Sequence, residues 1–199
     1  MGESDDESAR AAIMDATYRA LCEHGYAELT TKAIAEEAGK STALLHYYYD
    51  TKEELLVAFL EYLLENFNER VAFDDERDDP AEQLSTVIET LVGGPEDYRN
   101  FQTAMLELRS QAPYNEAYRE QLRENDRELT ALLAGIVERG IEAGVFRDVD
   151  PTRTARFIVA AIDGARSRWI TLDDDERLGD VGAELQTYLE EHLLVDDAR

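Results

Sequence analysis

The chain has 199 residues, 44% of them apolar, which is enough for one large or two small domains with a packed core. Asp and Glu outnumber Lys and Arg by 45 to 20, and the formal charge is −25. A single cysteine, Cys22, excludes an intrachain disulfide and a cysteine-based zinc site, and the acidic start does not resemble a signal peptide. Since no apolar run is long enough to span a bilayer, we expect a soluble, cytoplasmic protein without membrane contact.

The apolar residues recur at helical spacing through almost the whole chain, and no segment alternates as a strand does. We therefore predict an all-α fold of about nine helices. Gly25 is expected to end the first helix, Thr30 and Ser41 to cap two short ones, and Gly39 to lie in the turn between these two. The predicted helices span about 7–23, 31–38, 42–48, 52–73, 80–92, a segment ending near 111, 115–143, 151–172 and 177–194.

Two sequence features support the later boundaries. Thr51 and Glu54 form a capping box for the helix that begins at residue 52, and Asp150 with Pro151 is a typical helix start. The charged segment 74–80 predicts a boundary between two subregions.

The excess of carboxylates is typical of proteins from salt-loving organisms, where such groups keep the protein hydrated in concentrated salt. The alternative is an ordinary acidic cytosolic protein. All three lysines, Lys32, Lys40 and Lys52, lie in one stretch, where they are balanced by three acidic residues. Such a neutral window in an acidic protein is a place where a polyanion could bind.

Within this window the spacing Ala35-x-x-x-Gly39 is typical of a helix-turn-helix, with Ala35 small where two helices cross. The outward face of the following helix is then free for a DNA major groove. A hairpin between two core helices can imitate this pattern. The predicted core positions are Ile34, Ala38, Leu45 and Tyr49, and the predicted outward positions are Thr42, Ala43, His46 and Tyr47.

The segment GYAELTTKAIAEEAGKSTALLHYYYDTKEELL resembles the DNA-binding segment of the TetR (tetracycline-repressor-like) family of transcription regulators. The resemblance covers about residues 9–60, and the rest of the chain agrees only in length and helical pattern. Three positions depart from the family: Lys40 replaces the usual Val, His46 the usual Tyr, and Tyr49 the usual Phe. The matching residues are Gly25, Tyr26, Thr30, Thr31, Ile34, Ala35, Ala38, Gly39, Ser41, Leu45, Lys52, Glu53 and Leu55.

The resemblance implies a ligand-responsive homodimeric repressor that binds a palindromic operator in double-stranded DNA, is released by a small-molecule effector and needs no cofactor. It implies a helix-turn-helix domain, 7–52, with recognition helix 42–48. An effector-binding and dimerisation domain, 53–199, would follow, joined by the connecting helix 52–73. With few lysines at the interface, we expect DNA binding to depend weakly on salt. The implied DNA-binding residues are Thr31, Lys40, Ser41, Thr42, Ala43, His46, Tyr47, Tyr48 and Lys52, the last binding the DNA backbone.

Helix 151–172 has apolar residues on two sides, which predicts burial on both. We expect it to form a four-helix dimer interface with helix 177–194 and the same pair of a second subunit; the alternative is packing within one chain. An effector pocket is implied on the preceding helices, where plain core is the alternative. The predicted interface residues are Ile158, Ala161, Ala165, Trp169, Leu185 and Leu189, and the predicted pocket residues are Tyr62, Phe101, Met105, Leu108, Leu132 and Ile136.

Two other classes of protein remain as alternatives. An enzyme with a di-iron bundle needs Glu-x-x-His twice, and none of the three histidines has that spacing. Phosphate-loop, nucleophile-elbow and dinucleotide motifs do not occur, so no catalytic or metal-binding residue is assigned. The second alternative is a helical interaction module that dimerises without binding DNA.

Overall fold

The computed structural model describes residues 3–71, 79–93, 98–174 and 177–195. These ranges contain nine α-helices, a short π-helix and no strand, which confirms the predicted all-α fold. The predicted hinge 74–80 lies outside the described residues except for its last two positions. The helices are α1 (Glu3–Glu28), α2 (Thr31–Glu37), α3 (Thr42–Tyr48), α4 (Lys52–Arg70), α5 (Pro80–Val92), α6 (Tyr98–Gln111), α7 (Glu116–Glu142), α8 (Pro151–Leu172) and α9 (Arg177–Tyr188), with the π-helix at Leu189–Leu193.

Polar caps explain why several helices begin where the sequence predicts. The Thr30 side chain accepts a hydrogen bond from the Ala33 N–H at 3.1 Å, and Ser41 accepts one from Leu44 at 3.2 Å. Asp150 accepts from the Arg153 N–H at 2.9 Å. Each cap satisfies a main-chain donor that the first helical turn leaves free.

One end of the helical series agrees with the prediction and the other differs from it. At Gly25 the backbone leaves the helical conformation (φ 69°, ψ 174°), as the sequence predicts, and a short helical turn then follows to Glu28. At the other end, α9 gives way to the π-helix, and Leu194 pairs with Phe146 in an isolated antiparallel bridge. The Arg147 N–H donates to the Leu193 carbonyl at 2.8 Å, so the last turn is held by a distant segment.

The described chain packs as two compact units, each with its own hydrophobic core. The first comprises the residues up to 66 together with 98–125, and the second comprises 67–93 together with the residues from 126 onward. By packing, most of α4 and all of α6 therefore belong with the helix-turn-helix. The expected functional division between residues 52 and 53 stays a prediction.

In the first unit, α1 packs along α6 and against α2. The side chains of Ile13, Leu21 and Phe59 are fully buried in its core. Two polar contacts add to this packing: the Tyr26 N–H donates to Glu107 Oε2 on α6 at 2.9 Å, and Asn125 Nδ2 donates to the Leu60 carbonyl at 2.9 Å. The helix-turn-helix is thus built onto the helices α6 and α7.

In the second unit, α8 and α5 both pack against α9. Gln83 is almost wholly buried (1% exposed), and its side-chain oxygen accepts a hydrogen bond from Arg139 at 2.8 Å. A buried amide of this kind needs such a partner, because an unpaired polar group in a core is destabilising. Phe146 closes the end of α7 by packing directly over Gly140.

Candidate nucleic-acid interface

Helices α2 and α3 form the predicted helix-turn-helix around a small apolar core. Ile34, Ala35 and Leu45 are at most 1% exposed. Gly39 adopts a positive φ of 62°, and the Lys40 N–H donates to the Ala35 carbonyl at 2.9 Å across the turn. The turn needs a residue with a left-handed backbone conformation, which glycine adopts without steric cost.

The outward side of this motif carries most of the predicted DNA-binding residues. Tyr47 is 73% exposed, an unusual value for a large aromatic side chain. Ser41 also caps α3, so its hydroxyl has a structural role in addition to any contact with a base. Of the predicted residues, Lys40, Ser41, Ala43, His46 and Tyr47 are exposed, whereas Thr31, Thr42, Tyr48 and Lys52 are half-buried.

Tyr48, the last residue of α3, lies against α1. The guanidinium carbon of Arg10 is 5.2 Å from the centroid of the Tyr48 ring, within the range of a cation–π contact. The neighbouring Asp6 carboxylate raises the pKa of the Tyr48 hydroxyl. The start of α1 therefore meets the end of the recognition helix, which the motif alone does not indicate.

Lys52 lies inside the protein's own hydrogen-bond network. Its Nζ donates to the Leu29 carbonyl at 2.9 Å and to the Tyr26 carbonyl at 3.5 Å, and it lies 4.7 Å from the Tyr26 ring centroid. Burial lowers the pKa of this amine. The ammonium thus ties the start of α4 to the segment between α1 and α2, and its predicted contact with the DNA backbone stays a prediction.

Other cations near the motif are paired with carboxylates. Arg19 on α1 binds Glu37 at the end of α2, and Lys32 Nζ lies 3.6 Å from Glu36 Oε1. Lys40, by contrast, has no ion pair with any residue that the structure describes. It is therefore the cation most available to a polyanion.

The predicted effector-pocket residues fall into the two separate cores. Phe101, Met105 and Leu108 are buried in the first unit, where Tyr62 donates to Asp15 Oδ1 at 2.7 Å. Leu132 and Ile136 belong to the core of the second unit. The effector pocket formed by these six residues stays a prediction.

Four of the predicted interface residues are buried within their own chain. Ile158, Ala165, Leu185 and Leu189 are at most 4% exposed, which favours the alternative that they belong to the core of one subunit. Ala161 and Trp169 are half-buried. That these six residues form a dimer interface stays a prediction.

A different side of α8 presents apolar groups to solvent. Phe157 is 51% exposed and Leu172 64%, and Ala160 and Gly164 are exposed between them. The Phe157 ring lies 5.3 Å from that of Tyr188. The sequence predicted apolar residues on two sides of α8, but not that the side with Phe157 faces solvent, because both sides repeat at helical spacing.

The charges on these two helices are of opposite sign. Exposed arginines of α8 are followed by exposed carboxylates on α9 and the π-helix. A strongly acidic protein thus carries one locally basic helix next to an acidic one. The residues are Arg153, Arg156 and Arg168 on the first, and Asp180, Glu184, Glu190 and Glu191 on the second.

Helices of the length and apolarity needed to cross a bilayer are absent from the ranges that the structure describes.

Comparison with known proteins agrees with this architecture over both regions. Residues 13–59 match the family model of bacterial regulatory proteins of the tetR family, and residues 80–194 match the BetI-type transcriptional repressor C-terminal model. A TetR transcription regulator from Haloarcula marismortui is 45% identical, with a TM-score of 0.84, over 94% of this chain and 99% of that one.

Two more distant structures share the fold. A transcriptional regulator from Saccharomonospora viridis, solved with choline, is 23% identical with a TM-score of 0.80, over 95% of this chain and 99% of that one. The regulator FadR from Bacillus subtilis, solved with stearoyl-CoA, is 24% identical with a TM-score of 0.71, over 91% of this chain and 97% of that one. Together with the exposed recognition helix, the family matches establish that the chain belongs to the TetR family of DNA-binding transcription regulators, with a C-terminal region of the BetI type.

Proposed function

We propose that the protein is a cytoplasmic repressor that binds a palindromic operator as a homodimer and leaves it when a small-molecule effector binds. The observation that carries this proposal is the outward face of α3. In a chain of charge −25, this face carries the exposed His46 and Tyr47, and Lys40, which has no ion pair among the described residues, lies in the turn just before α3.

The recognition helix is proposed to enter the major groove, as the second helix of a helix-turn-helix does. Ser41 and Thr42 would approach base edges, and the methyl group of Ala43 would contact a thymine methyl. His46 and Tyr47 would donate to phosphates or bases, and Thr31 would contact a phosphate.

The homodimer is proposed to form through the exposed face of α8 and α9. Phe157 and Tyr188 supply the apolar centre that a stable interface needs. In a two-fold interface the basic α8 of one subunit can lie against the acidic α9 of the other, so that each pair of charges occurs twice. Two recognition helices separated by about 34–36 Å would then fit successive major grooves.

The effector is proposed to bind at one or both groups of predicted pocket residues: Tyr62, Phe101, Met105 and Leu108, and Leu132 and Ile136. The two ligands found in structural relatives differ in charge and size, because choline is a small cation and stearoyl-CoA a long-chain anion. At less than 25% identity these relatives do not select an effector class for this chain. Both compounds are therefore useful first probes of release.

The proposal is tested by fluorescence anisotropy with DNA duplexes that the wild-type protein has enriched from a random pool. Tyr47→Ala should weaken binding by about tenfold, since one good base or phosphate contact contributes on the order of 1–3 kcal/mol. Tyr114→Ala is the matched control: its side chain is 89% exposed but lies between α6 and α7. Equal binding of wild type to enriched and scrambled duplexes would leave the interaction module as the better explanation.

Sedimentation of the same samples tests the dimer. The wild type should sediment as twice the 22.6 kDa chain at micromolar concentration, and Phe157→Asp should shift it toward the monomer by placing a carboxylate in the apolar centre. A monomeric wild type would contradict the proposed interface.

A further inference from the structure

We propose that Arg10 is an additional contact to a DNA phosphate, and that Asp6 occupies its guanidinium until DNA binds. Operator binding would then exchange a carboxylate of the protein for a phosphate of the DNA. The inference rests on the proposed function, because it takes α3 to be the helix that reads DNA.

The geometry places this cation at the recognition helix, although it lies outside the helix-turn-helix motif. Arg10 is on α1, and its guanidinium lies over Tyr48, the last residue of α3. Its Nε donates to Asp6 Oδ2 at 3.2 Å. The side chains of Arg10 and Asp6 remain 54% and 41% exposed, so a strand of DNA along α3 has access to both.

The pair is suited to an exchange of partners. Arginine binds carboxylate and phosphate with the same planar set of donors, and an exposed ion pair is weak enough to be given up. Left in place, Asp6 would be a negative charge beside the DNA backbone. Transfer of Arg10 to a phosphate satisfies the guanidinium again and lets the Asp6 carboxylate return to water.

The exchange has a consequence for salt dependence. A free cation that neutralises one phosphate changes the slope of log K against log salt by about −0.9, because DNA counterions are released. When the cation leaves a carboxylate behind, that carboxylate takes up a cation from solution, and the net release is smaller. The pairs Lys32–Glu36 and Arg19–Glu37 extend the same arrangement around the motif, consistent with a shallow salt slope.

The test uses the full chain, the duplex enriched by the wild type, and anisotropy between 0.05 and 1 M KCl. Asp6→Asn should bind about threefold more tightly at low salt, with a slope steeper by up to about 0.9, since Arg10 is then free to release counterions. Arg10→Ala should bind about threefold or more weakly. In the Arg10→Ala background, Asp6→Asn should hardly change the affinity for the duplex, because the arginine that would move from Asp6 to a phosphate is missing.

The matched control is Glu120→Gln, which makes the same change of charge at another exposed pair, Glu120–Arg123, with a distance of 3.0 Å. Circular dichroism verifies that every variant melts like the wild type. Three results would each overturn the inference: an equal gain in Glu120→Gln, unchanged binding by Arg10→Ala, or a gain from Asp6→Asn that persists without Arg10. Failure of the wild type to select any duplex would instead overturn the proposed function, and the inference with it.

Discussion

At the scale of single residues, Gly140 has the least room for a side chain among the glycines that the structure describes. A Cβ at this point of α7 would lie 2.0 Å from Cδ2 of Phe146, whose ring is 2% exposed. Gly140→Ala should therefore lower the free energy of unfolding by about 3 kcal/mol, the upper part of the range for overpacked cores. Urea denaturation followed by circular dichroism measures this loss.

Gly135 on the same helix is the control for this substitution. A Cβ there meets only Arg139 Nη1, at an ordinary 3.5 Å. Since alanine stabilises a helix interior relative to glycine, Gly135→Ala should raise stability by about 0.5–1 kcal/mol. An equal effect of the two substitutions would contradict the packing of Phe146 over Gly140.

The sequence predicted contacts between residues a few positions apart better than contacts between distant segments of the chain. The caps at Ser41 and Asp150 follow from rules that act within four residues, and both are found. Lys52 was assigned to the DNA backbone alone, because its carbonyl partners at Tyr26 and Leu29 become neighbours only after α1 and α4 have packed. Arg10 was missed for the same reason, since its contact with Tyr48 crosses 38 residues of sequence.

At the scale of elements, Tyr118 joins the start of α7 to the end of α1. Its ring is 3% exposed, and burial, together with the neighbouring Tyr26 hydroxyl, raises its pKa. In the unfolded chain a tyrosine titrates near 10, so above about pH 10 the unfolded state loses a proton that the folded state keeps. Stability should fall as pH rises through that region, by up to about 1.4 kcal/mol per pH unit for this group.

Tyr118→Phe isolates this contribution. At pH 8 the variant should be less stable by about 1 kcal/mol, the value of a hydrogen bond between the Tyr118 and Tyr26 hydroxyls, but between pH 10 and 11.5 its stability should fall less steeply than that of the wild type. Tyr48 and Tyr49 also have raised pKa values, but they remain in both proteins, so their contributions cancel in the comparison. Parallel pH profiles for the two proteins would contradict the assignment.

Helix boundaries were predictable where a proline or a cap marks them, and α3, α5 and α8 have the predicted bounds. The π-helix at Leu189–Leu193 was not predicted, because it depends on hydrogen bonds to residues 145–147 and leaves no local signal. Periodicity identified two apolar sides of α8. It could not decide which side packs against the core of the same chain, because the apolar stripe that contains Ile158 and the one that contains Phe157 repeat with the same spacing.

At the scale of the whole molecule, the charge of −25 predicts a dependence of stability on salt. Repulsion among exposed carboxylates opposes the compact state, and it is screened as the Debye length falls from about 10 Å at 0.1 M to about 3 Å at 1 M. We expect Tm to rise between 0.05 and 1 M KCl. A gain of about 3 kcal/mol would correspond to about 6–12 °C for a chain of this size.

Thermal melts in KCl and NaCl decide whether screening is the cause. Equal rises in the two salts, most of them complete by about 1 M, are expected of screening, because it depends on ionic strength and not on the cation. A continued rise toward several molar, larger in one salt, would indicate that the carboxylates hold specific hydrated cations instead. An unchanged Tm would show that the acidic surface serves solubility alone, as in an ordinary acidic protein of the cytosol.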